Sequence, residues 1–145
     1  MEQHSETESS EATRPPKRVV AALIRRGDSI LICQRKATQA MALQWEFPGG
    51  KIEPGEGDVE ALERELVEEL DIQAQIGPLI AQVRHTYRNG NVVELKFFSV
   101  EHFEGELKNQ IFEQIRWEKL INLPQYDFLA ADRGLVRDLA AGKLL

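Results

Sequence analysis

Hydrophobic and polar positions along the chain divide it into recognisable elements. Arg18–Arg25 (RVVAALIR) and Ser29–Arg35 (SILICQR) are apolar, β-branched runs either side of Gly27-Asp28, a pattern that predicts a β-hairpin. Lys36–Leu43 is mixed and predicts a loop, and Trp45–Lys51 (WEFPGGK), with one proline and two glycines, predicts a sharply bent backbone. From Asp58 the period changes. Val59, Leu62, Leu66 and Leu70 fall on one stripe and predict a helix over 58–70, with Asp58 as its N-cap. Ile72–Tyr87 and Val92–Phe103 read as two long strands joined at Arg88-Asn89-Gly90-Asn91, where Asn-Gly signals a hairpin. Ile115–Trp117 reads as a short strand, and Phe128–Ala141 as a closing helix with Gly142 just past its end. Strands and helices mix without regular βαβ alternation. The fold expected is therefore α/β in the broad sense (α+β), a mixed sheet with helices packed on it.

Residues 1–17 contain almost no apolar side chains and end near Pro15-Pro16, which predicts a disordered tail followed by a single domain over 18–145. The length suits one domain and not two. A lone cysteine, Cys33, excludes an internal disulfide framework and reads as a buried hydrophobe within an apolar strand. No apolar run reaches the length of a membrane span, and the acidic N-terminus lacks the apolar stretch of a signal peptide, so a cytoplasmic, reducing location is expected without a membrane partner.

The net charge is −6, but it is not spread evenly. Residues 50–72 hold nine acids against two bases, a local −7, and the rest of the chain sums to +1. A nucleic-acid binder with a broad basic face is excluded. On the predicted helix Glu65, Glu68 and Glu69 stand at i, i+3, i+4, where like charges repel. Two readings of these residues stand: a solvated acidic face, or carboxylates gathered for a hard divalent cation such as Mg²⁺, which takes oxygen ligands together with substrate phosphates. Gly49-Gly50 upstream permits close backbone approach to a ligand, Lys51 adds a cation suited to phosphate, and Glu56 lies where it can fold back toward the cluster.

Gly50, Glu56, Arg64, Glu65, Leu66, Glu68, Glu69 and Ile72 stand at the spacings G-x5-E-x7-R-E-U-x-E-E-x-G-U, where U is aliphatic. This resembles the Nudix box; the one departure is Asp71 in the position of the final glycine. Trp45–Lys51 and Tyr126–Val136 are also similar to segments of MutT-type enzymes, so the resemblance covers about residues 18–142. It implies a Nudix α/β/α sandwich and Mg²⁺- or Mn²⁺-dependent hydrolysis of a nucleoside diphosphate linked to another group. The reaction it implies is NTP plus water to NMP plus pyrophosphate, on an oxidised or otherwise altered (d)NTP such as 8-oxo-dGTP or on a cytosine nucleotide. Alternatives are a nucleotide sugar or dinucleotide hydrolase, and a non-catalytic nucleotide-binding module.

The resemblance also assigns roles. Glu65, Glu68 and Glu69 would hold the metal with a carbonyl of Gly49 or Gly50, Glu56 would be an accessory carboxylate, and Arg64 would orient the glutamates. Glu113 is the candidate for a further loop carboxylate, with an exposed surface glutamate as its plain alternative. Phe47 and Tyr87 would flank the base unless they are core, and Asp132 would read its edge unless it pairs with Arg133 on a helix surface. An ionised Asp132 suits an amino group such as cytosine N4, and a protonated one also donates, which admits an oxidised purine. Apart from the resemblance, Lys51 is a cation suited to phosphate, and Arg35 reads either as reaching a phosphate or as a plain strand-end surface cation. Oligomeric state is left open.

Overall fold

The computed structural model describes residues 15–145; the predicted tail, apart from residues 15–17, lies outside the described residues. The chain runs β1 (Lys17–Arg26), β2 (Ser29–Gln34), β3 (Trp45–Glu46), β4 (Gly49–Lys51), α1 (Asp58–Leu70), β5 (Gln73–Gln75), β6 (Leu79–Thr86), β7 (Val92–Val100), β8 (His102–Glu104), β9 (Gln114–Lys119) and α2 (Arg133–Ala140). A seven-stranded sheet has the order β3-β2-β1-β7-β6, with β4 paired to β1 and β9 to β2, while β5 and β8 form a separate two-stranded sheet. β1 and β7 are parallel and the other pairs antiparallel, so the sheet is mixed.

Period-2 alternation sends each central strand's side chains to two cores. Val20, Ala22, Ile24, Leu31 and Cys33 pack with Leu62, Leu66 and Leu70 of α1. Ala21, Leu23, Ile30, Ile32, Leu95 and Phe97 pack with Leu135, Val136 and Leu139 of α2. The sheet is thus sandwiched between helices, and β1 and β2 read as near-continuous apolar runs because both their faces are buried. Cys33 is a buried free thiol.

Several elements differ from expectation, each for a local reason. The β1–β2 hairpin holds only at Arg25↔Ile30 and Arg26↔Ser29; beyond it β2 pairs with β9 and β3. The bend at 45–51 carries two short strands, so its backbone is paired rather than looped. The long strand 72–87 breaks at Ile76-Gly77-Pro78. Gly77 lies so close to Ser99 that a Cβ there would meet its carbonyl oxygen at 2.8 Å, and Pro78 has no N–H to offer a ladder. Val92–Phe103 breaks at Glu101. Asp58 is the first helical residue rather than the N-cap; Gly57 occupies the cap, and its N–H donates to Glu60 Oε1 at 2.9 Å. The Asp58 carboxylate instead meets Lys96 Nζ at 2.7 Å and Arg18 at 3.3 Å. The closing helix starts at Arg133, because Phe128 is drawn into a bridge with Trp45 and Ala130–Asp132 forms a 3₁₀ turn. No helix among the described residues is long and apolar enough to cross a membrane.

Candidate active site

The glycine turn entering β4 faces α1. β4 pairs with β1 through Val20↔Gly50 and Ala21↔Gly49, which leaves no space for side chains. A Cβ on Gly49 would lie 2.0 Å from the Val20 carbonyl oxygen, and one on Gly50 would lie 2.4 Å from the Glu65 carboxylate. Glycine at 50 therefore lets the Glu65 carboxylate rest against the turn. The Gly49 N–H donates to Glu69 Oε1 at 3.2 Å. Glu69 is buried, 7% exposed. Burial first, then a hydrogen bond with Glu65 and the charge of that neighbour, push the Glu69 carboxyl up to about 9. Two oxygen-rich groups this close call for a proton or a cation between them.

Arg64 organises the outer side. Nε donates to Glu56 Oε2 at 2.7 Å and Nη2 to Glu56 Oε1 at 3.0 Å, a bidentate pair. Nη1 reaches Glu65 at 3.1 Å and Glu68 at 3.3 Å, and Nη2 also donates to the Lys51 carbonyl at 3.1 Å. This arginine first, and the Glu53 N–H second, hold the Glu56 carboxyl down to about 2. Glu68 turns outward and is 58% exposed. Accordingly, among the described residues no three acidic, His or Cys side chains form a ready-made cage. The structure brings Glu65 and Glu69 together on the glycine turn and leaves Glu68 on Arg64. The donor set is still all hard oxygen, and the close Glu65–Glu69 pair fits a divalent cation.

From this turn a cleft of about 480 Å³ extends over the α2-side core. Gly49, Gly50, Lys51, Glu69, Arg35, Phe47, Tyr87 and Asp132 all line it. Phe47 is 4% exposed and stacks on Phe128, with centroids 5.3 Å apart and planes at 28°. Tyr87 packs edge-on against His85. Asp132 is 3% exposed, and its Oδ1 has no hydrogen-bond partner. Burial, and then the charge of Glu46, push its carboxyl up to about 7. The surface pair with Arg133 does not form, because Arg133 bonds the Phe128 carbonyl and Asp127. Arg35 holds Glu46 through two 3.3 Å contacts and the Ala40 carbonyl at 2.9 Å.

Glu113 lies outside the cleft lining. It is exposed, and its N–H donates to Gln34 on the approach to β9. Its neighbours Ile111 and Phe112 line the cleft instead. Sequence reasoning missed Glu46, a cleft carboxylate whose pKa burial raises and Arg35 lowers. The alternation Trp45-Glu46-Phe47 was its signal, since Trp45 and Phe47 share the α2-side core.

Fold and family define the class: a hydrolase on an α/β/α scaffold, with clustered carboxylates over a double-glycine turn. The chain belongs to the NUDIX domain family, whose model matches residues 15–139, and is a MutT-like hydrolase within it. It is 37% identical over 123 residues to the CTP pyrophosphohydrolase of Escherichia coli K12, covering 85% of this chain and 90% of that protein. It is 35% identical over 112 residues to the 8-oxo-dGTP diphosphatase of the same organism, covering 77% and 86%. The solution structure of the E. coli ORF135 protein superposes with a TM-score of 0.80 at 35% identity, covering 90% of this chain and 92% of that one. The crystal structure of a MutT NUDIX hydrolase from Burkholderia pseudomallei gives 0.76 at 29% identity, covering 86% and 98%. Hydrolases of this family need a divalent metal.

Proposed function

We propose that this chain is a cytoplasmic Mg²⁺- or Mn²⁺-dependent nucleoside triphosphate pyrophosphohydrolase. It converts an oxidised or cytosine (d)NTP to NMP and pyrophosphate, and acts on free nucleotides rather than nucleic acid or a membrane. The observation that carries this reading is a single cleft joining the Gly49-Gly50–Glu69 turn to the unpartnered, buried Asp132. Such a cleft suits a ligand with a polyphosphate at one end and a base at the other. Names borne by the E. coli relatives support the same two base classes.

Glu65, Glu68 and Glu69 would hold the cation, with a carbonyl of Gly49 or Gly50. When bound, a divalent cation polarises phosphoryl oxygens and offsets charge on the leaving group. Arg64, anchored by Glu56, orients the glutamates, and a cluster carboxylate takes the proton of the attacking water. Lys51 and Arg35 meet phosphate oxygens. Phe47 forms the floor beneath the base and Tyr87 one flank. With its carboxyl near neutrality Asp132 both donates and accepts, which accommodates cytosine N4 in one state and an oxidised purine in the other.

The test is a panel of (d)NTPs, nucleotide sugars and dinucleotides with Mg²⁺, with products resolved, run on wild type and Glu69→Gln. Triphosphates cleaved to monophosphate and pyrophosphate, with kcat down by at least about a hundredfold in the variant, are expected. Equal turnover by the two proteins would sink the assignment of Glu69. Preference for a sugar or dinucleotide would sink that of the substrate.

A further inference from the structure

The second half of α1 has a support that comes from far along the chain. Glu68 and Glu69 sit in its last turn, where backbone carbonyls run out of helical N–H partners. From within, the N–H of Asp71, in left-handed conformation (φ 57°, ψ 40°), donates to the Val67 carbonyl at 3.0 Å and that of Ile72 to the Leu66 carbonyl at 3.5 Å, but the last turn holds no basic side chain and the carbonyls of Glu68, Glu69 and Leu70 are left over. The acid at Asp71 faces the negative end of the helix dipole. The segment 105–113, between β8 and β9, crosses this end and meets the carbonyls one after another. Gln110 Nε2 donates to the Glu68 carbonyl at 2.8 Å and to that of Val67 at 3.0 Å. The Gln110 N–H donates to the Glu69 carbonyl at 3.1 Å, and the Lys108 N–H to that of Leu70 at 2.9 Å. The next two residues, Ile111 and Phe112, line the cleft.

We propose that Gln110 is a positioning residue for the cation-holding glutamates, an inference that rests on the proposed role of Glu65, Glu68 and Glu69. Its amide supplies the partner of the Glu68 carbonyl and a second donor to that of Val67, and so helps fix the backbone from which Glu68 and Glu69 project. It touches neither substrate nor cation. Without this side chain the Glu68 carbonyl loses its donor and the final turn opens more readily, since helix ends open at far lower free energy than helix centres. The two glutamates then lose their register with Glu65 and the Gly49-Gly50 turn.

Gln110→Met keeps the side-chain length but has no donor, whereas Gln110→Lys restores a donor and adds a charge suited to a helix end. Both are compared with wild type by Mn²⁺ binding to the nucleotide-free protein, followed by electron paramagnetic resonance, by steady-state kinetics, and by thermal unfolding. Gln110→Met is expected to bind Mn²⁺ about tenfold more weakly and to lose about tenfold in kcat, with KM for nucleotide within about twofold. Gln110→Lys is expected to recover both to within about threefold of wild type. The role is overturned if Gln110→Met stays within about twofold of wild type in Mn²⁺ affinity, or if Gln110→Lys is as impaired as Gln110→Met. Should Gln110→Met not fold, Gln110→Asn, whose amide stops one methylene short, is read against the same thresholds. A wild type that hydrolyses no nucleotide overturns the proposed function alone, because Mn²⁺ binding still decides the role of Gln110.

Discussion

At the scale of single residues, Asp132 holds the sharpest consequence. Its carboxyl is buried, one oxygen has no partner, and burial followed by the Glu46 charge pushes it up to about 7 from an ordinary 3.8. The folded protein therefore keeps a proton that the unfolded chain has already released across that interval. Stability from this group is complete below the unfolded value and is lost as pH rises through the folded one, at no more than about 1.4 kcal/mol per pH unit. Asparagine carries no charge at any pH. Asp132→Asn is thus expected to match wild type near pH 4 and to be more stable at pH 8, with the gap opening between the two. Urea midpoints at pH 4.5, 6 and 8 measure it, and a gap independent of pH would show that Asp132 is ionised in the fold. The same substitution should change base preference, since an amide donates and accepts at every pH.

The element that gathers the carboxylates is α1, and its own Arg64 ties them together. Three glutamates of one network converge on a single guanidinium, with a bidentate pair to Glu56. Lysine preserves the charge but is a point donor that cannot span Glu56, Glu65 and the Lys51 carbonyl together. Arg64→Lys is expected to lose about tenfold or more in kcat with the net charge unchanged, and steady-state kinetics checks it. This helix was the most legible part of the sequence, because Leu62, Leu66 and Leu70 recur at helical spacing and are all fully buried. The burial of Glu69 was not legible there: it stands on the side adjacent to the leucine stripe, and the approach of the Gly49-Gly50 turn covers it. What was not legible depends on partners far along the chain. Nothing in the sequence marks Gln110, whose role as a donor depends on the carbonyls of α1 lying beside it. Gly77 breaks a strand only because Ser99 approaches, and Glu113 is shut out of the cleft because Phe112 takes the inward position. Asp132 was legible as a candidate that the resemblance singles out, but its burial follows from the 3₁₀ turn that delays α2.

Across the whole molecule the deciding quantity is charge. A local −7 over residues 50–72 sits on a scaffold that is otherwise near neutral. Folding brings that segment's Glu69, with Glu65 beside it, to a cleft that Glu46 and Asp132 also line. A polyphosphate entering this cleft meets like charge from the carboxylates that are ionised there, while burial keeps a proton on Glu69 and on part of the Asp132 population near neutrality. Lys51 offsets part of that charge, and Arg35 is already engaged by Glu46. At separations of a few ångströms each unrelieved pair of like charges costs on the order of 1–4 kcal/mol at effective dielectric constants between 80 and 20. A bound cation reverses the local sign, because it is the largest charge in such a site. Two measurements follow from one cause. In EDTA a non-hydrolysable nucleotide analogue should bind at least about tenfold more weakly than with Mg²⁺ present, by calorimetry. Mg²⁺ without nucleotide should raise the thermal midpoint, gaining about 2.7 kcal/mol at a hundred times its dissociation constant, because it relieves the Glu65–Glu69 pair in the folded state alone. Glu69→Gln should keep much of the analogue binding in EDTA, or improve it, while losing the Mg²⁺ shift. A variant that kept the full shift would place the cation elsewhere on the molecule.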